Sequence, residues 1–267
     1  MKDSKLLPLL MTASVDTRGM AGALYAAQDR EKMYVETIRY YLKTICRDPR
    51  QKIVFCDNSG WNLDSVHEKV GDMGDALEYL SLDPNDFDIS KGKGYNEMIL
   101  MRQAVERSQF IREAGGFFKV TGRYPIYNVG YFIKKATKAI FENGKKWYCD
   151  IKDHSIYDWL HLGWCGHAFD CRLFGVTNDY FLHHLVPLTD ECNDYGGMLL
   201  EEVLFKAVKA ADPKDLVVRF PREPHFGGLA GHHIDAVSWS QKQDCPKEKI
   251  KRFVGNCIRI FIPWLKF

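Results

Sequence analysis

The apolar positions of this chain fall into short runs and helical stripes that alternate from the start. Residues 6–15 are apolar almost throughout and stop at Asp16-Thr17-Arg18-Gly19, which predicts a buried strand ending in a polar turn. Tyr34, Ile38, Tyr41, Leu42 and Ile45 then recur at helical spacing, and Pro49 closes the stretch. Residues 51–55 read as a second strand that runs into Asp57-Asn58-Ser59-Gly60. Strand, helix and strand within the first 60 residues is the pattern of a parallel sheet. Residues 63–82 look helical in part, broken by Gly71 and Gly74, before a turn at Asp83-Pro84-Asn85-Asp86.

The same alternation continues. A glycine- and lysine-bearing loop, residues 91–97, opens a helix with Leu100, Met101, Ala104, Val105, Ser108 and Ile111 on one face. Gly115 and Gly116 end it and lead into an apolar strand, Phe117-Phe118-Lys119-Val120, that breaks off at Thr121-Gly122-Arg123-Tyr124-Pro125. Residues 131–141 read as a helix, and 147–151 and 169–175 as strands. Leu200, Val203, Leu204, Ala207, Val208 and Ala211 mark a further helix, and 216–220 a last strand. Residues 250–267 form an apolar tail expected to pack on the core. The expectation is one α/β domain over 1–267, with a mostly parallel central sheet flanked by helices. Residues 1–125 would form the nucleotide-binding half, and 126–267 the acceptor-binding half and tail.

Composition narrows the classes. With 267 residues, 46% apolar and 13% aromatic, the chain has ample material for a core. A net charge of +2, with basic residues spread along the sequence, gives no footprint for nucleic acid. Eight cysteines without regular spacing are expected as reduced thiols in a cytosol-like compartment. The run at residues 6–11 is too short for a signal peptide, and no apolar run is long enough for a transmembrane helix. The location this suggests is cytoplasmic, including the cytoplasmic face of a membrane.

Candidate chemistry gathers where predicted strands end, the usual ligand edge of an open α/β sheet. Thr12, Ala13 and Ser14 are small residues against which a base and ribose can lie. Asp57, Asn58 and Ser59 offer an acceptor and donors suited to a uracil edge or ribose hydroxyls, though each triplet alone is also ordinary turn chemistry. Gly94 and Glu97 open a helix whose free N–H groups suit an anion, or else sit in a plain surface loop. Lys119, Thr121, Gly122 and Arg123 place two cations, a hydroxyl and a glycine at one strand end, where a guanidinium can fork a phosphate. Glu201 and Glu202 lie in a helix's first turn, favoured there by the dipole and also suited to a general base. His232 and His233 in a glycine-rich loop complete the candidate donor set. Asp86-Phe87-Asp88 reads as a solvated turn, and Cys149, His154, His161, Cys165, His167 and Cys171 match no closed zinc spacing.

Taken together, Gly94-Tyr95-Asn96-Glu97, Phe118-Lys119-Val120-Thr121-Gly122-Arg123-Tyr124, Phe174-Gly175-Val176 and Leu200-Glu201-Glu202-Val203-Leu204-Phe205 resemble small nucleotide-sugar glycosyltransferases of the GT-A type. Such proteins occur in bacterial capsule and lipopolysaccharide clusters and in large DNA viruses. The resemblance spans roughly residues 6–235. It implies a nucleotide-diphosphate sugar donor, UDP being favoured by Asp57 and Asn58, and a glycan acceptor. It also implies an acidic base at the start of a late helix, where Glu201 or Glu202 stands, in an inverting transfer. Tyr124, Asp170 and Arg172 are assigned to the acceptor side. The family's metal-binding Asp-x-Asp is replaced here by Thr121-Gly122-Arg123. No metal ligand is therefore assigned, and Lys119 or Arg123 would stand in for a manganese or magnesium ion. Two other classes compete: a nucleotidyltransferase using Asp86 and Asp88, and a glycan-binding module using the six tryptophans and thirteen tyrosines. Homodimerisation is left open.

Overall fold

The structure, a computed structural model, describes residues 5–20, 23–72, 74–161, 166–228, 245–262 and 266. Among them, seven strands form one sheet in the order β3-β2-β1-β4-β8-β5-β9. β1 is Leu9–Ala13, β2 Ile53–Asp57, β3 Leu77–Ser81, β4 Gly116–Thr121, β5 Trp147–Tyr148, β8 Leu173–Thr177 and β9 Leu216–Val217. β1 pairs in parallel with both β2 and β4, so Thr12 stands opposite Cys56 on one side and Thr121 on the other. β8 alone runs against its neighbours β4 and β5. A separate antiparallel ribbon joins β6 (Ile151–Asp153) to β7 (His167–Phe169). The α/β architecture with a mostly parallel sheet is the expected one.

Side-chain alternation divides the core between the two faces of the sheet. Leu9, Met11, Phe118 and Val120 join Tyr34 and Ile38 of α1 (Ala27–Thr44) and Phe132 of α5 (Val129–Thr137) on one face. Leu10, Val54 and Phe117 join Met101 of α3 (Lys93–Arg107) and Leu204 of α6 (Leu200–Ala210) on the other. α2 (Leu63–Val70) and α4 (Gln109–Ala114) fill the gaps between strands.

Four expectations are corrected. Residues 77–81 are not helical; α2 stops at Gly71, whose φ of 90° leaves the helical region, and the chain then forms edge strand β3. The long helix after residue 93 is two helices. Ser108 breaks it and caps α4 by accepting from the Ile111 N–H at 3.1 Å. Residues 169–175 are not one strand, because the chain passes from the β6–β7 ribbon to the central sheet between Phe169 and Leu173. The tail is α7 (Pro246–Phe261), and it docks through its polar side, not its apolar one. Arg259 Nη1 donates to Asp150 Oδ2 at 2.7 Å and to the Phe220 carbonyl at 3.0 Å, and Asn256 Oδ1 accepts from the Glu223 N–H.

Asp150 is buried, and desolvation pushes its carboxyl up to about 6 against the pull of Arg259 and Arg219. Arg259→Met removes the partner that offsets this burial. The expected cost is about 3 kcal/mol in chemical denaturation, and an unchanged midpoint would mean that the pair does not hold α7.

Candidate active site

The carboxyl ends of β1, β2 and β4 meet at one edge, and the residues singled out there do come together. Most of them spend their polar groups on one another. Asp57 is fully buried; its Oδ2 accepts from the Val15 N–H at 2.8 Å and its Oδ1 from the Ser59 N–H at 2.9 Å and hydroxyl at 2.7 Å. Burial raises the Asp57 carboxyl, and these hydrogen bonds oppose the rise. Asn58 accepts from the Ser14 hydroxyl at 2.6 Å and donates to the Asn96 carbonyl. Ser59 Oγ accepts from the Asp16 N–H. The edge expected to read uracil is therefore turned inward, and Asp57, Asn58 and Ser59 stitch two loops together. Ala13 is buried beside them, and Thr12 gives its hydroxyl to Glu97 at 2.8 Å.

Lys119 is the largest departure. It was expected to face a diphosphate, yet it is 0% exposed. The alternation of β4 places it on the same sheet face as Phe117, toward α3. Its Nζ lies 2.7 Å from Glu97 Oε1 and donates to Thr121 Oγ1 and to the Cys171 carbonyl. Glu97 thus joins α3 to β1 and β4 through Oε1, and the Lys119 ammonium spends its donors inside the protein. Gly122 is close to protein instead of ligand: a Cβ there would stand 3.0 Å from the Thr12 carbonyl and 3.2 Å from the Tyr34 ring. The N-terminus of α3 is also taken. Asp194 accepts from the Lys93 N–H at 2.7 Å and the Gly94 N–H at 3.4 Å, so Gly94 offers no free donor. A Cβ at Gly94 would meet Leu200 Cβ at 2.8 Å, which fixes α3 against the start of α6.

Arg123, in the loop after β4, lines a small cleft with Arg30, Lys93, Ser14 and Thr17, of about 60 Å³, room for a few waters or one phosphoryl group. Arg123 Nη1 is shielded from solvent and has no hydrogen-bond partner. Arg30, buried in the first turns of α1, grips the Ser14 carbonyl through Nε at 2.8 Å and Nη2 at 2.6 Å. Burial lowers the Lys93 ammonium's pKa, and the neighbouring Arg123 and Arg30 charges push the same way, while Asp194 and Glu201 oppose them. Arg30 and Lys93 were not among the sequence candidates. Lys93 stands in the glycine–lysine loop, and Arg30 in a helix stripe where an arginine reads as solvated.

Beside this cationic cleft lies a second, larger one of about 590 Å³, lined by Asp150, Asp170, Arg172, Glu201, Arg219 and Glu223 among others. Asp170 holds Arg172 in a two-pronged pair at 2.8 Å on each side, and Arg172 sits 4.0 Å above the Phe226 ring. Tyr124 is buried edge-on against Phe226, so it supports this wall instead of facing a ligand. Glu201 lines the cleft and reaches solvent; Glu202 does not line it. Crowding by protein raises the Glu201 carboxyl, helped by the charges of Glu97 and Asp194 and opposed by Lys119. His232 and His233 lie outside the described residues.

Arg30, Lys93 and Arg123 gather at the small cleft, and no group of three His, Cys, Asp or Glu side chains among the described residues is placed to hold an ion. The literal Asp-x-Asp is a turn: Asp88 accepts from the Ser90 N–H and hydroxyl, and Asp86 from Gln103.

No protein-family model and no curated sequence matches the chain. Solved structures similar to it include the mannosyltransferase Ktr4p from S. cerevisiae, at 10% identity and TM-score 0.48, covering 86% of this chain and 70% of that one. Another is a glycosyltransferase involved in glycosylation of the major capsid of PBCV-1, at 10% identity and TM-score 0.46, covering 81% and 82%. A third is the galactosyltransferase LgtC in complex with donor and acceptor sugar analogs, at 10% identity and TM-score 0.46, covering 89% and 93%. At these values no correspondence between individual residues follows.

The Lys119–Glu97 pair gives a direct test of its role. Glu97→Gln and Lys119→Met should each cost about 3 kcal/mol, because each strands a charge at the pair. The double variant should cost clearly less than their sum in urea denaturation. Simple additivity would show that the two groups do not depend on each other.

Proposed function

We propose that the chain transfers a sugar from a nucleotide-diphosphate sugar to a hydroxyl of a glycan acceptor. The observation that carries this reading is the Arg30–Lys93–Arg123 cleft at the carboxyl ends of β1 and β4, where Arg123 Nη1 is shielded from solvent and lacks a hydrogen-bond partner. A cluster of cations held close together is under mutual repulsion, and an anion relieves it. A phosphoryl group answers both the charge and the missing hydrogen-bond acceptor. The sequence resemblance to GT-A glycosyltransferases supplies the reaction class.

In this reading the acceptor lies in the larger cleft beside Glu201. Its hydroxyl oxygen bonds to the anomeric carbon as the bond from that carbon to the diphosphate oxygen breaks. The proton passes to Glu201, and the cations take up the charge left on the diphosphate. Glu201 is preferred to Glu202 because only Glu201 lines the cleft. Its raised pKa suits a base, since a weakly basic carboxylate accepts a proton poorly. The choice of UDP has no exposed Asp57 or Asn58 edge to rest on, so the nucleotide is left to measurement. A nucleotidyltransferase is disfavoured, because Asp86 and Asp88 are engaged in their turn.

The test is a thermal-shift panel of UDP, GDP, CMP and dTDP sugars, with and without manganese. A bound donor at about 100 times its Kd adds about 2.7 kcal/mol of apparent stability. Arg123→Ala should weaken that donor about ten-fold or more, while the unliganded melt stays in place. Unchanged affinity would remove Arg123 from the site.

A second expectation concerns pH. A base must be ionised to act, so turnover should fall as pH drops through the raised Glu201 pKa. Glu201→Gln should lower kcat by about 10²-fold or more and abolish this acid limb, and Glu202→Gln should do neither. A Glu201→Gln enzyme with normal kcat would rule the assignment out.

A further inference from the structure

α7 is turned the opposite way from an ordinary surface helix. At about 100° per residue, Ile250, Phe253, Val254, Cys257 and Phe261 share one side, and Glu248, Arg252, Asn256 and Arg259 share the other. The polar side faces the protein through Arg259 and Asn256. Gly255 lets it approach so closely that a Cβ there would meet the Glu223 carboxylate. The apolar side faces out, with Ile250 64%, Phe253 70%, Ile260 61% and Phe261 75% exposed. Lys247 and Lys251 border it on one flank and Lys249 on the other, all exposed.

We propose that this face seats on an anionic lipid surface. An apolar stripe with large aromatic and aliphatic side chains, edged by lysines, matches a membrane interface: the apolar groups enter the acyl boundary while the ammonium groups reach back to lipid phosphates. Charge complementarity selects this occupant over a second copy of the chain. A two-fold contact through this face would bring the same lysine borders together from both copies, whereas a leaflet bearing negative headgroups attracts them.

The position of the helix adds a consequence. Lys251, Val254 and Arg259 of α7 also line the larger cleft, so its mouth opens beside the lipid plane. If the transferase reading holds, on which this clause rests, the acceptor class is a glycan anchored in the membrane.

The test uses the full chain without donor or acceptor, so its result is independent of catalysis. Co-sedimentation is measured with phosphatidylcholine vesicles and with vesicles containing about 30% phosphatidylglycerol. The chain should partition onto the anionic vesicles and come off in high salt, which screens the attraction. Phe253→Ser/Phe261→Ser should weaken that partition about ten-fold or more. Lys247→Gln/Lys249→Gln/Lys251→Gln should remove the preference for the anionic vesicles. The substituted groups are exposed, so melting curves of both variants should superimpose on the parent's. A chain that stays in the supernatant with both vesicles overturns the proposal, as does a Phe253→Ser/Phe261→Ser variant that binds like the parent. So does a dimer in light scattering that dissociates in that variant, which would give the face to a second copy.

Discussion

Lys119 carries an ammonium group inside a β-sheet, and the arrangement of the site follows from how that charge is met. A buried cation is tolerated only when an anion and further acceptors surround it. Here Glu97 supplies the anion, and the Thr121 hydroxyl and Cys171 carbonyl supply the rest. Glu97 belongs to the first turns of α3 and also takes the Thr12 hydroxyl, so one carboxylate ties α3 to β1 and β4. Fixing α3 fixes Lys93 at its N-terminus, and Asp194 caps that end while leading the chain into α6. Glu201 is thereby placed near Glu97. One ion pair sets the distance between the cationic cleft and the carboxylate that faces the larger one.

That spacing separates two electrostatic environments within a small region. Arg30, Lys93 and Arg123 stand together on the side of α1 and the β4 loop, and burial, helped by the neighbouring Arg123 and Arg30 charges, depresses the Lys93 pKa. Glu201 is crowded by protein and stands near Glu97 and Asp194, and desolvation first, then those charges, move its pKa up. An anion entering the first environment is stabilised, and a proton entering the second is stabilised too. A group transfer that releases diphosphate and a proton uses both at once, which a single mixed cluster would not allow. Within the first environment Arg30 is held by its grip on the Ser14 carbonyl.

Much of this was legible in the sequence. Continuous apolar runs marked β1, β2 and β4, and the helical stripe marked α1 and α6, because these elements are buried where pattern is strongest. β3 was missed because an edge strand is only half buried and Leu77-Glu78-Tyr79-Leu80 fits either period. The sequence also placed the candidate residues at the right edge of the sheet. It did not tell which way they turn. Asp57, Asn58, Ser59 and Ser14 look like a ligand-binding set because they have the donors and acceptors that loops need for themselves, and the loops took them. Lys119 is buried and paired with Glu97 instead of standing at the strand's tip. Strand alternation already put it with Phe117, one face into the sheet and not at its tip. Arg30, Lys93 and Asp194 gave no such clue, since what makes them matter is convergence from three distant segments.

The reversed orientation of α7 has the same origin as the rest of the site, a buried charge that needs a partner. Asp150 lies under the larger cleft with Arg219 3.8 Å away and Arg259 at 2.7 Å. Arg259 can reach it only if the helix turns its polar side inward, and the helix period then turns Phe253 and Phe261 outward. A helix stripe of this kind gains nothing from water, so the orientation rests on the polar contacts of Arg259 with Asp150 and the Phe220 carbonyl and of Asn256 with the Glu223 N–H. An apolar environment on the outer side would stabilise the same orientation from the opposite direction. The wall of the larger cleft and the outer face of α7 adjoin on one helix and share Val254, so anything that holds one in place orders the other.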